Sequence, residues 1–341
     1  MQRLRWIAML TLGLATASSA FSACKIAQIA EIPVRVVGNR VLVDAQINGQ
    51  NATVMVDTGA SMTFLWQDEA ARLGLPVESI TGLRLFGVGG EARALGTVVK
   101  KFQMGSFSGD QLRLAVVGTK EGRQRREGAL VLGDDFFSHF TTEFDLAHNV
   151  IRLLRPESCQ PGQLIYWGGK SYSLAALEPV ILGHERIQTP VRVDGKRARA
   201  ILDTGASTSV VAQQTAADVG VNPAAAVPTQ AVVGLAFKPL ESWIGTFATF
   251  SIGDEEMSNV KLRIADLFTA DTTQKIGSRI SRPLEDTPDM LVGCDFFLSH
   301  RILVLAKERM LLFTYNGGPV FQFVTSSAPA QPSAPAPATT P

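Results

Sequence analysis

The chain has 341 residues, more than one hydrophobic core usually fills, which predicts two domains. Apolar residues make up 46% and charged residues 18%, the balance of a globular protein. The formal net charge of +1 argues against nucleic acid as the main partner, because neutralising phosphates needs a basic surface.

The N-terminal residues are typical of an export signal. Arg3 and Arg5 precede an apolar run, Trp6 to Ala17, that is too short to span a bilayer, which takes ~20 residues. Ser18 to Ala20 are small residues that suit ordinary signal cleavage. We therefore expect residues 1–23 to be a signal peptide and the protein to be exported, either periplasmic or associated with the envelope.

The same region allows a second interpretation, in which Cys24 is lipidated. The pairing of the cysteines is therefore undecided from the sequence. Phe21 to Cys24 resembles a bacterial lipobox, in which Cys24 would be lipidated and would tether the protein to a membrane. With Cys24 removed or acylated, Cys159 and Cys294 remain. These two could pair in an oxidising compartment, or Cys294 is simply a small buried hydrophobe.

The first predicted elements are two alternating strands joined by a turn at Asn48-Gly49. The second of these strands, Val54 to Val56, runs straight into Asp57. A short helix follows, with Gly74 as its stop signal. Farther along, the apolar strand Leu130 to Leu132 ends in a glycine and an acidic-aromatic run, and a closing hairpin follows.

The same order of elements returns in the second half. A turn at Asp194-Gly195 precedes a strand that runs into Asp203, and Gly220 closes a short helix. Met290 to Val292 again precedes a glycine and an acidic-aromatic run. The short β-rich segments at regular spacing predict mostly antiparallel, all-β lobes.

An internal duplication organises the chain. The pentapeptide Asp57–Ser61 recurs as Asp203–Ser207, and a given pentapeptide is expected by chance only on the order of 10⁻⁴ times in this length. The predicted domains are therefore a first lobe, a linker, a second lobe and a disordered tail rich in Pro, Ala and Ser. Their ranges are 32–156, 157–174, 175–316 and 317–341.

The repeated motif suits a pair of cooperating carboxyl groups. An aspartate at the end of a buried strand is unfavourable unless its charge is stabilised, and the glycine two residues later lets the backbone bring N–H groups up to it. Two such turns in duplicated lobes allow the carboxylates of Asp57 and Asp203 to meet. Two carboxylates in contact share a proton, so one can activate a water and the other can donate to a carbonyl.

The two Asp-Thr-Gly-Ala-Ser segments resemble the active-site signature of aspartic proteases, and more closely the retropepsin-like branch than pepsin. Ala60 and Ala206 stand where pepsin-like enzymes usually carry Ser or Thr. The Gly-Asp-Asp-Phe-Phe and Gly-Cys-Asp-Phe-Phe segments also resemble that branch. The chain is similar to a fused tandem of two retropepsin-like domains, covering nearly all of 32–316.

The resemblance implies a role for each motif residue. Asp57 and Asp203 would be the catalytic pair, and Thr58 and Thr204 would hydrogen-bond across the two loops. Gly59 and Gly205 would present backbone N–H groups to the carboxylates. The remaining residues that support the site would be Ala60, Ser61, Ala206 and Ser207.

The resemblance also implies a flap, a hairpin whose tip closes over the substrate. The segment Phe86, Gly87, Val88, Gly89 and Gly90 would form this tip, and its glycines suit a mobile loop. The matching stretch in the second lobe, Val233 to Phe237, has one glycine and is weaker as a flap.

The resemblance thus implies an aspartic endopeptidase, a monomer that takes a polypeptide substrate without metal or cofactor. Two alternatives remain: a peptide-binding module on the same fold that does not cut, and a processing protease with a single protein target. Asp134, Asp135 and Asp295 are interpreted as structural, since carboxylates favour a helix start. His139 and His300 are interpreted likewise, and no histidine has the spacing of a zinc ligand.

Ala60 and Ala206 generate a prediction about pH. A hydroxyl at either position would hydrogen-bond the ionised carboxylate and lower its pKa, which Ala cannot do. We expect activity at weakly acidic to near-neutral pH, and we expect the double variant A60S/A206S to move the pH–activity profile downward. An unchanged or upward-shifted profile would contradict the prediction.

Overall fold

Two closed six-stranded β-barrels and a third sheet that joins them make up the fold, so the all-β, two-lobed prediction is confirmed. The structure is a computed structural model. It describes residues 23–87, 90–118, 128–168, 171–179, 186–233, 239–267, 274–275, 281–282 and 288–321. The predicted signal peptide, apart from Ala23, lies outside these residues.

The described residues of the first copy contain eleven strands. They are β1 Lys25–Pro33, β2 Arg35–Val37, β3 Arg40–Ile47, β4 Gln50–Val56, β5 Phe64–Trp66, β6 Glu78–Gly87, β7 Gly90–Met104, β8 Phe107–Val117, β9 Leu130–Leu132, β10 Thr141–Asp145 and β11 Val150–Glu157.

The second copy, with the segment leading into it, contributes the remaining described strands. They are β12 Ser173–Ala176, β13 Gln188–Val193, β14 Lys196–Leu202, β15 Val210–Ala212, β16 Val227–Val233, β17 Pro239–Ile252, β18 Glu255–Ala265, β19 Gln274–Lys275, β20 Ser281–Arg282, β21 Met290–Val292, β22 His300–Leu305 and β23 Met310–Tyr315.

The helices are short. They are α1 Gln67–Arg72, α2 Asp134–Phe137, α3 Gln213–Asp218 and α4 Cys294–Ser299, with single 3₁₀ turns at Leu146–His148, Pro161–Leu164 and Pro223–Ala225. Among the described residues, no helix has the length and apolar character needed to cross a membrane.

Local sequence explains the hairpin that opens each barrel. In β3, Val41, Val43, Ala45 and Ile47 are buried, because alternate side chains of a strand point to the same face. The turn to β4 has φ values of +50° at Asn48 and +79° at Gly49, and the matching turn has +47° at Asp194 and +77° at Gly195. Asn, Asp and Gly are the residues that tolerate these left-handed angles, which fixes the register of both hairpins.

The two barrels have the same topology. The first has the order β3-β4-β9-β5-β8-β7 and closes by pairing β3 with β7. The second has the order β13-β14-β21-β15-β18-β17 and closes by pairing β13 with β17. In each, the strand that precedes the Asp-Thr-Gly segment runs parallel to its neighbour, β4 beside β9 and β14 beside β21. Both aspartates therefore leave the barrel wall at equivalent points.

A six-stranded sheet connects the barrels, and the sequence did not predict it. Its order is β1-β11-β10-β22-β23-β12, so each copy supplies three strands. At its centre β10 pairs antiparallel with β22, from Thr141 opposite Leu305 to Phe144 opposite Ile302. Backbone hydrogen bonds thus fasten one lobe to the other.

A buried ion cluster reinforces this junction. The fully buried Glu143 carboxylate accepts hydrogen bonds from Arg152 Nη1 at 2.7 Å and Arg301 Nη2 at 2.8 Å, and from the Tyr166 hydroxyl. The Arg301 guanidinium also lies 4.3 Å from the ring centroid of Trp167. A buried carboxylate is tolerated only when it is paired and hydrogen-bonded. Because Glu143 and Arg301 belong to different lobes, their pairing adds to the connection that the backbone makes.

Residues of the predicted linker and of the start of the predicted tail pack against the lobes. Within the predicted linker, Leu164 is buried and Trp167 donates to the Thr314 hydroxyl at 3.1 Å. Within the predicted disordered tail, the Phe321 ring lies 5.3 Å from that of Phe250 and packs on the core of the second lobe. An aromatic ring buries enough apolar area to hold the chain, so this contact ties Phe321 to the second lobe.

The disulfide of this protein does not join Cys159 to Cys294. Cys24 and Cys159 form a disulfide, whereas Cys294 is free and buried, so the pairing of Cys159 with Cys294 is wrong. Burial raises the pKa of the Cys294 thiol to about 12, which agrees with its reading as a small buried hydrophobe. A lipidated Cys24 has no sulfur left for a disulfide, so the bond and the lipid anchor exclude each other.

We expect the disulfide to stabilise the protein by about 2–4 kcal/mol, because it closes a loop of 135 residues. C24S, C159S and the double variant C24S/C159S should lose the same amount in urea denaturation, since each removes the same bond. Intact mass under non-reducing conditions is the independent check. A Cys24 that carries a lipid, or single variants as stable as the wild type, would show that the bond does not form.

Candidate active site

The two Asp-Thr-Gly loops leave the barrels tied to neighbouring strands. The Asp57 N–H donates to the Leu132 carbonyl at 3.0 Å, and the Asp203 N–H donates to the Val292 carbonyl at 2.8 Å. These bonds continue the parallel pairings β4–β9 and β14–β21 by one residue. The position of each carboxylate is thus set by the barrel wall.

The structure brings the carboxyl groups of Asp57 and Asp203 into direct contact. They hydrogen-bond to each other and are enclosed deeply enough that burial raises the pKa of both. The negative charge of one carboxylate also opposes the ionisation of the other, as the Asp203 charge does for Asp57. Two carboxylates this close cannot both ionise at moderate pH, so the pair holds one shared proton.

Backbone N–H groups support each carboxylate in the same way. Asp57 Oδ1 accepts from the N–H groups of Gly59 at 3.1 Å and Ala60 at 3.0 Å. Asp203 Oδ1 accepts from those of Gly205 at 2.8 Å and Ala206 at 3.0 Å. These bonds lower the pKa of each aspartate and partly offset the effect of burial.

The two glycines are required by the contact itself. A Cβ on Gly59 would lie within 2.6 Å of the carboxyl atoms of Asp203, and a Cβ on Gly205 would lie equally close to those of Asp57. Any side chain at either position would therefore displace the opposite carboxylate. The glycine of each motif therefore leaves space for the carboxylate of the other lobe, and its N–H donates to the carboxylate of its own lobe.

A reciprocal set of hydrogen bonds holds the loops together. The Thr58 hydroxyl donates to the Leu202 carbonyl at 2.7 Å and accepts from the Thr204 N–H at 3.1 Å. The Thr204 hydroxyl donates to the Val56 carbonyl at 2.9 Å and accepts from the Thr58 N–H at 3.1 Å. Both threonines are fully buried, so none of these groups has water as an alternative partner.

The chain matches one protein-family description twice. The description is "Aspartyl protease", and the matched residues are 43–136 and 189–296, one match in each barrel and together more than half of the chain. The chain belongs to the aspartyl protease family. The two matches and two barrels confirm the retropepsin-like tandem that the sequence suggested. None of the curated proteins compared with it gives a significant match.

Two further residues support the site of this family member, and the sequence analysis missed them. Thr63 donates its N–H at 2.8 Å and its hydroxyl at 2.6 Å to Asp135, and that hydroxyl accepts from the Gly133 N–H at 3.0 Å. Ser209 makes the corresponding bonds with Asp295 in the second lobe. The signal was present, because a hydroxyl residue stands six positions after each motif aspartate.

These bonds specify the structural role of two of the acidic residues at α2 and α4. Asp135 and Asp295 do lie in the first turns of those helices. Their contacts, however, hold the chain that leaves each Asp-Thr-Gly loop. Helices of four and six residues have little dipole to offer, so the hydrogen bonds account for the carboxylates better.

The remaining predicted residues contribute less. The Ser207 carbonyl accepts from Asn39 Nδ2 at 3.0 Å, which ties the second loop to the first lobe, and Ser61 is partly buried after the first loop. In the predicted flap, Phe86 pairs with Glu91 and Gly87 with Gly90 across the β6–β7 hairpin. Val88 and Gly89, the flap tip, lie outside the described residues.

The histidines differ more than their similar places in the sequence suggested. His139 is exposed, whereas His300 is fully buried between Glu255, at 3.0 Å from Nε2, and the stacked Phe296 ring. In the part of the chain that the structure describes, no group of three or more His, Cys, Asp or Glu side chains is arranged to hold a metal ion.

The contribution of Asp295 to the stability of the folded protein depends on pH. Burial raises its pKa to about 7, against an ordinary value near ~4 in the unfolded chain. The folded protein therefore binds this proton more tightly, and the stability that it contributes is fully present below about pH 4 and lost as the pH rises through about 7.

We expect D295N, which keeps an oxygen acceptor for Ser209 but cannot titrate, to change this pH dependence. Relative to the wild type, its unfolding free energy should rise by about 1–3 kcal/mol between pH ~5 and pH ~8. Urea denaturation of both proteins at the two pH values measures it. A difference between variant and wild type that is the same at both pH values would contradict the prediction.

Proposed function

We propose that this aspartyl protease family member is an active aspartic endopeptidase, with Asp57 and Asp203 as its catalytic residues. The observation that carries the proposal is the pair of partly buried carboxyl groups in contact, with the pKa raised at both by their removal from water. Such a pair holds one proton and one negative charge together over a broad pH range, which is what acid–base hydrolysis requires.

The chemistry follows from the shared proton. The ionised carboxylate takes a proton from a water while the water oxygen bonds to the peptide carbonyl carbon. The protonated partner gives its proton to the carbonyl oxygen, and a tetrahedral diol results. The first carboxyl then returns its proton to the amide nitrogen, and the second takes a proton back from one hydroxyl as the C–N bond breaks. The products are a carboxylic acid and an amine, and both aspartates regain their starting states.

The family implies a polypeptide substrate, and we propose that the chain binds it in extended form between the two lobes. The β6–β7 hairpin supports this proposal, since its described strands pair as far as Gly87 with Gly90, in the segment that the family resemblance implies as a flap.

We also propose that the protein works outside the cytoplasm. The export-type N-terminus supports this location, and so does the Cys24–Cys159 disulfide, because such bonds persist in oxidising compartments. In this proposal the mature protein keeps Cys24 for the disulfide and does not use it as a lipid anchor.

The decisive experiment measures cleavage of a diverse denatured peptide mixture across pH ~3–8. We expect D57N and D203N each to reduce cleavage by about 10³-fold or more, because either change removes a proton donor or acceptor. D218N is the matched control, since it makes the same chemical change at a carboxylate on the surface helix α3 and should cut like the wild type.

Two outcomes would overturn the proposal. If D57N or D203N cuts as fast as the wild type, the pair is not catalytic. If the wild type cuts none of the peptides, the proposal of a general endopeptidase is wrong. Peptide binding by calorimetry then distinguishes a non-catalytic binding module from a protease with a single protein target, since only the binding module retains generic peptide affinity.

A further inference from the structure

Each barrel carries a small apolar cluster that is separate from the main core. In β5, Leu65 packs in the core while Phe64 and Trp66 belong to this second cluster, because successive side chains of a strand point to opposite faces. The first-lobe cluster consists of Phe64, Trp66, Ala115, Val117 and Val131, with Met55, Ala60 and Met62 packed against it. The second-lobe cluster consists of Ile201, Val210, Ala265, Leu267 and Leu291, with Ala206 and Val232 packed against it.

Both clusters are continuous with the carboxyl pair. Ala60 belongs to the first and Ala206 to the second, and the N–H of each alanine donates to its motif aspartate at 3.0 Å. Val232 lies in β16, so the second-lobe cluster extends from the motif loop to the β16–β17 hairpin. The residues beside the loops are only partly buried. A peptide held at the carboxyl pair would therefore lay its side chains on these two clusters.

The centres of the two clusters differ in size. Phe64 and Val210 each stand seven residues after a motif aspartate. Phe64 lies opposite Val131 in β9, and Val210 lies opposite Leu291 in β21. The barrel register thus makes Phe64 and Val210 equivalent, so that a buried phenyl ring in one lobe takes the place of an isopropyl group in the other.

The neighbouring positions differ in the same direction. Trp66 lies opposite Val117 in the first lobe, whereas Ala212 lies opposite Ala265 in the second. The rings of Trp66 and Phe64 meet edge to face, with centroids 5.0 Å apart and planes at 89°. This contact holds the Phe64 ring in place. The first-lobe cluster is therefore filled by its own aromatic rings, while the second lobe has alanines at the two neighbouring positions.

One position differs in the opposite direction. Arg263 in β18 takes the place of Ala115 in β8. Its Nη1 donates to the Gln230 carbonyl at 2.6 Å and to the Ser242 hydroxyl at 3.2 Å, and both acceptors belong to the β16–β17 hairpin. The long side chain thus fastens this hairpin, and the contrast between aromatic and small residues at the other positions remains.

We propose that the two clusters are unequal subsites for substrate side chains, with Phe64 and Val210 as the residues that determine size preference. The first-lobe subsite takes a small side chain, because the Phe64 ring occupies its depth. The second-lobe subsite takes a large apolar side chain such as that of Leu or Phe, because burying more apolar area contributes more to binding. The inference rests on the proposed function and deepens it. It defines the substrate as an extended polypeptide with a large apolar residue on one side of the cut bond and a small residue on the other.

The direct test identifies the cut bonds in a diverse denatured peptide mixture by mass spectrometry. In the wild type we expect large apolar residues to be enriched on one side of the cut and small residues on the other. V210F should reduce kcat/KM for peptides with Leu or Phe on the favoured side by about tenfold or more, because the new ring fills the second-lobe subsite. F64V should admit large residues on the side that the wild type restricts to small ones.

The matched control is V98F, which makes the same change at a residue of β7 that is 40% exposed, and it should leave the preference unchanged. The amide NMR spectrum reports whether each variant is folded. If F64V does not fold, F64L also removes the ring and should change the same side of the cut to a smaller extent.

Two results would overturn the inference. The first is a wild type that shows the same size preference on both sides of the cut. The second is a set of folded variants in which V210F and the Phe64 variant change the same side, or change neither.

Peptide binding separates this inference from the proposed function. Two peptides of equal composition, with Phe and Ala in opposite order about a central dipeptide, are titrated by calorimetry into D57N and into D57N/V210F. If the wild type cuts nothing, but D57N binds one peptide at least about tenfold more tightly and V210F removes that difference, the endopeptidase is wrong and the unequal subsites stand. Cleavage without a size preference leaves the endopeptidase intact and refutes the inference. If nothing is cut and neither peptide binds, both proposals are wrong.

Discussion

The contact between two partly buried carboxyl groups is the constraint on which the rest of the structure depends. Two acids repel each other as soon as both ionise, so the fold has to hold them together against that repulsion. It does so with the reciprocal bonds of Thr58 and Thr204, which tie each loop to the strand that carries the other aspartate. The glycines then let the loops approach closely enough for the carboxylates to meet.

Contacts farther from the loops also hold the two aspartates together. Each barrel fixes its own loop through a parallel strand pair, and the six-stranded sheet fixes the barrels relative to each other through β10 and β22. Glu143 adds a buried cross-lobe ion pair with Arg301. Removing one member of such a pair leaves the other buried and uncompensated, so the cluster resists any shift of one lobe against the other.

The sequence predicts those parts of the protein that depend on local pattern and on repetition. The duplicated motif, the Asn-Gly and Asp-Gly turns and the glycines that end α1 and α3 each have a local physical cause, and all are found where expected.

The shared sheet could not be predicted in this way, because β10 and β22 are separated by more than 150 residues and neither strand identifies its partner. The Cys24–Cys159 bond and the packing of Phe321 depend on the same kind of distant contact.

The shared sheet also has a consequence for the order of events on the ribosome. A chain is synthesised from its N-terminus, and domains usually fold as units while synthesis continues. The first barrel, with Asp57, is complete long before β22 and β23 exist, yet the centre of the joining sheet is formed by β22. A nascent or truncated chain that ends before His300 therefore lacks the backbone pairing between the lobes, and only contacts such as the threonine bonds between the two loops hold Asp57 beside Asp203. The carboxyl pair gains its full support only when nearly the whole polypeptide has been made.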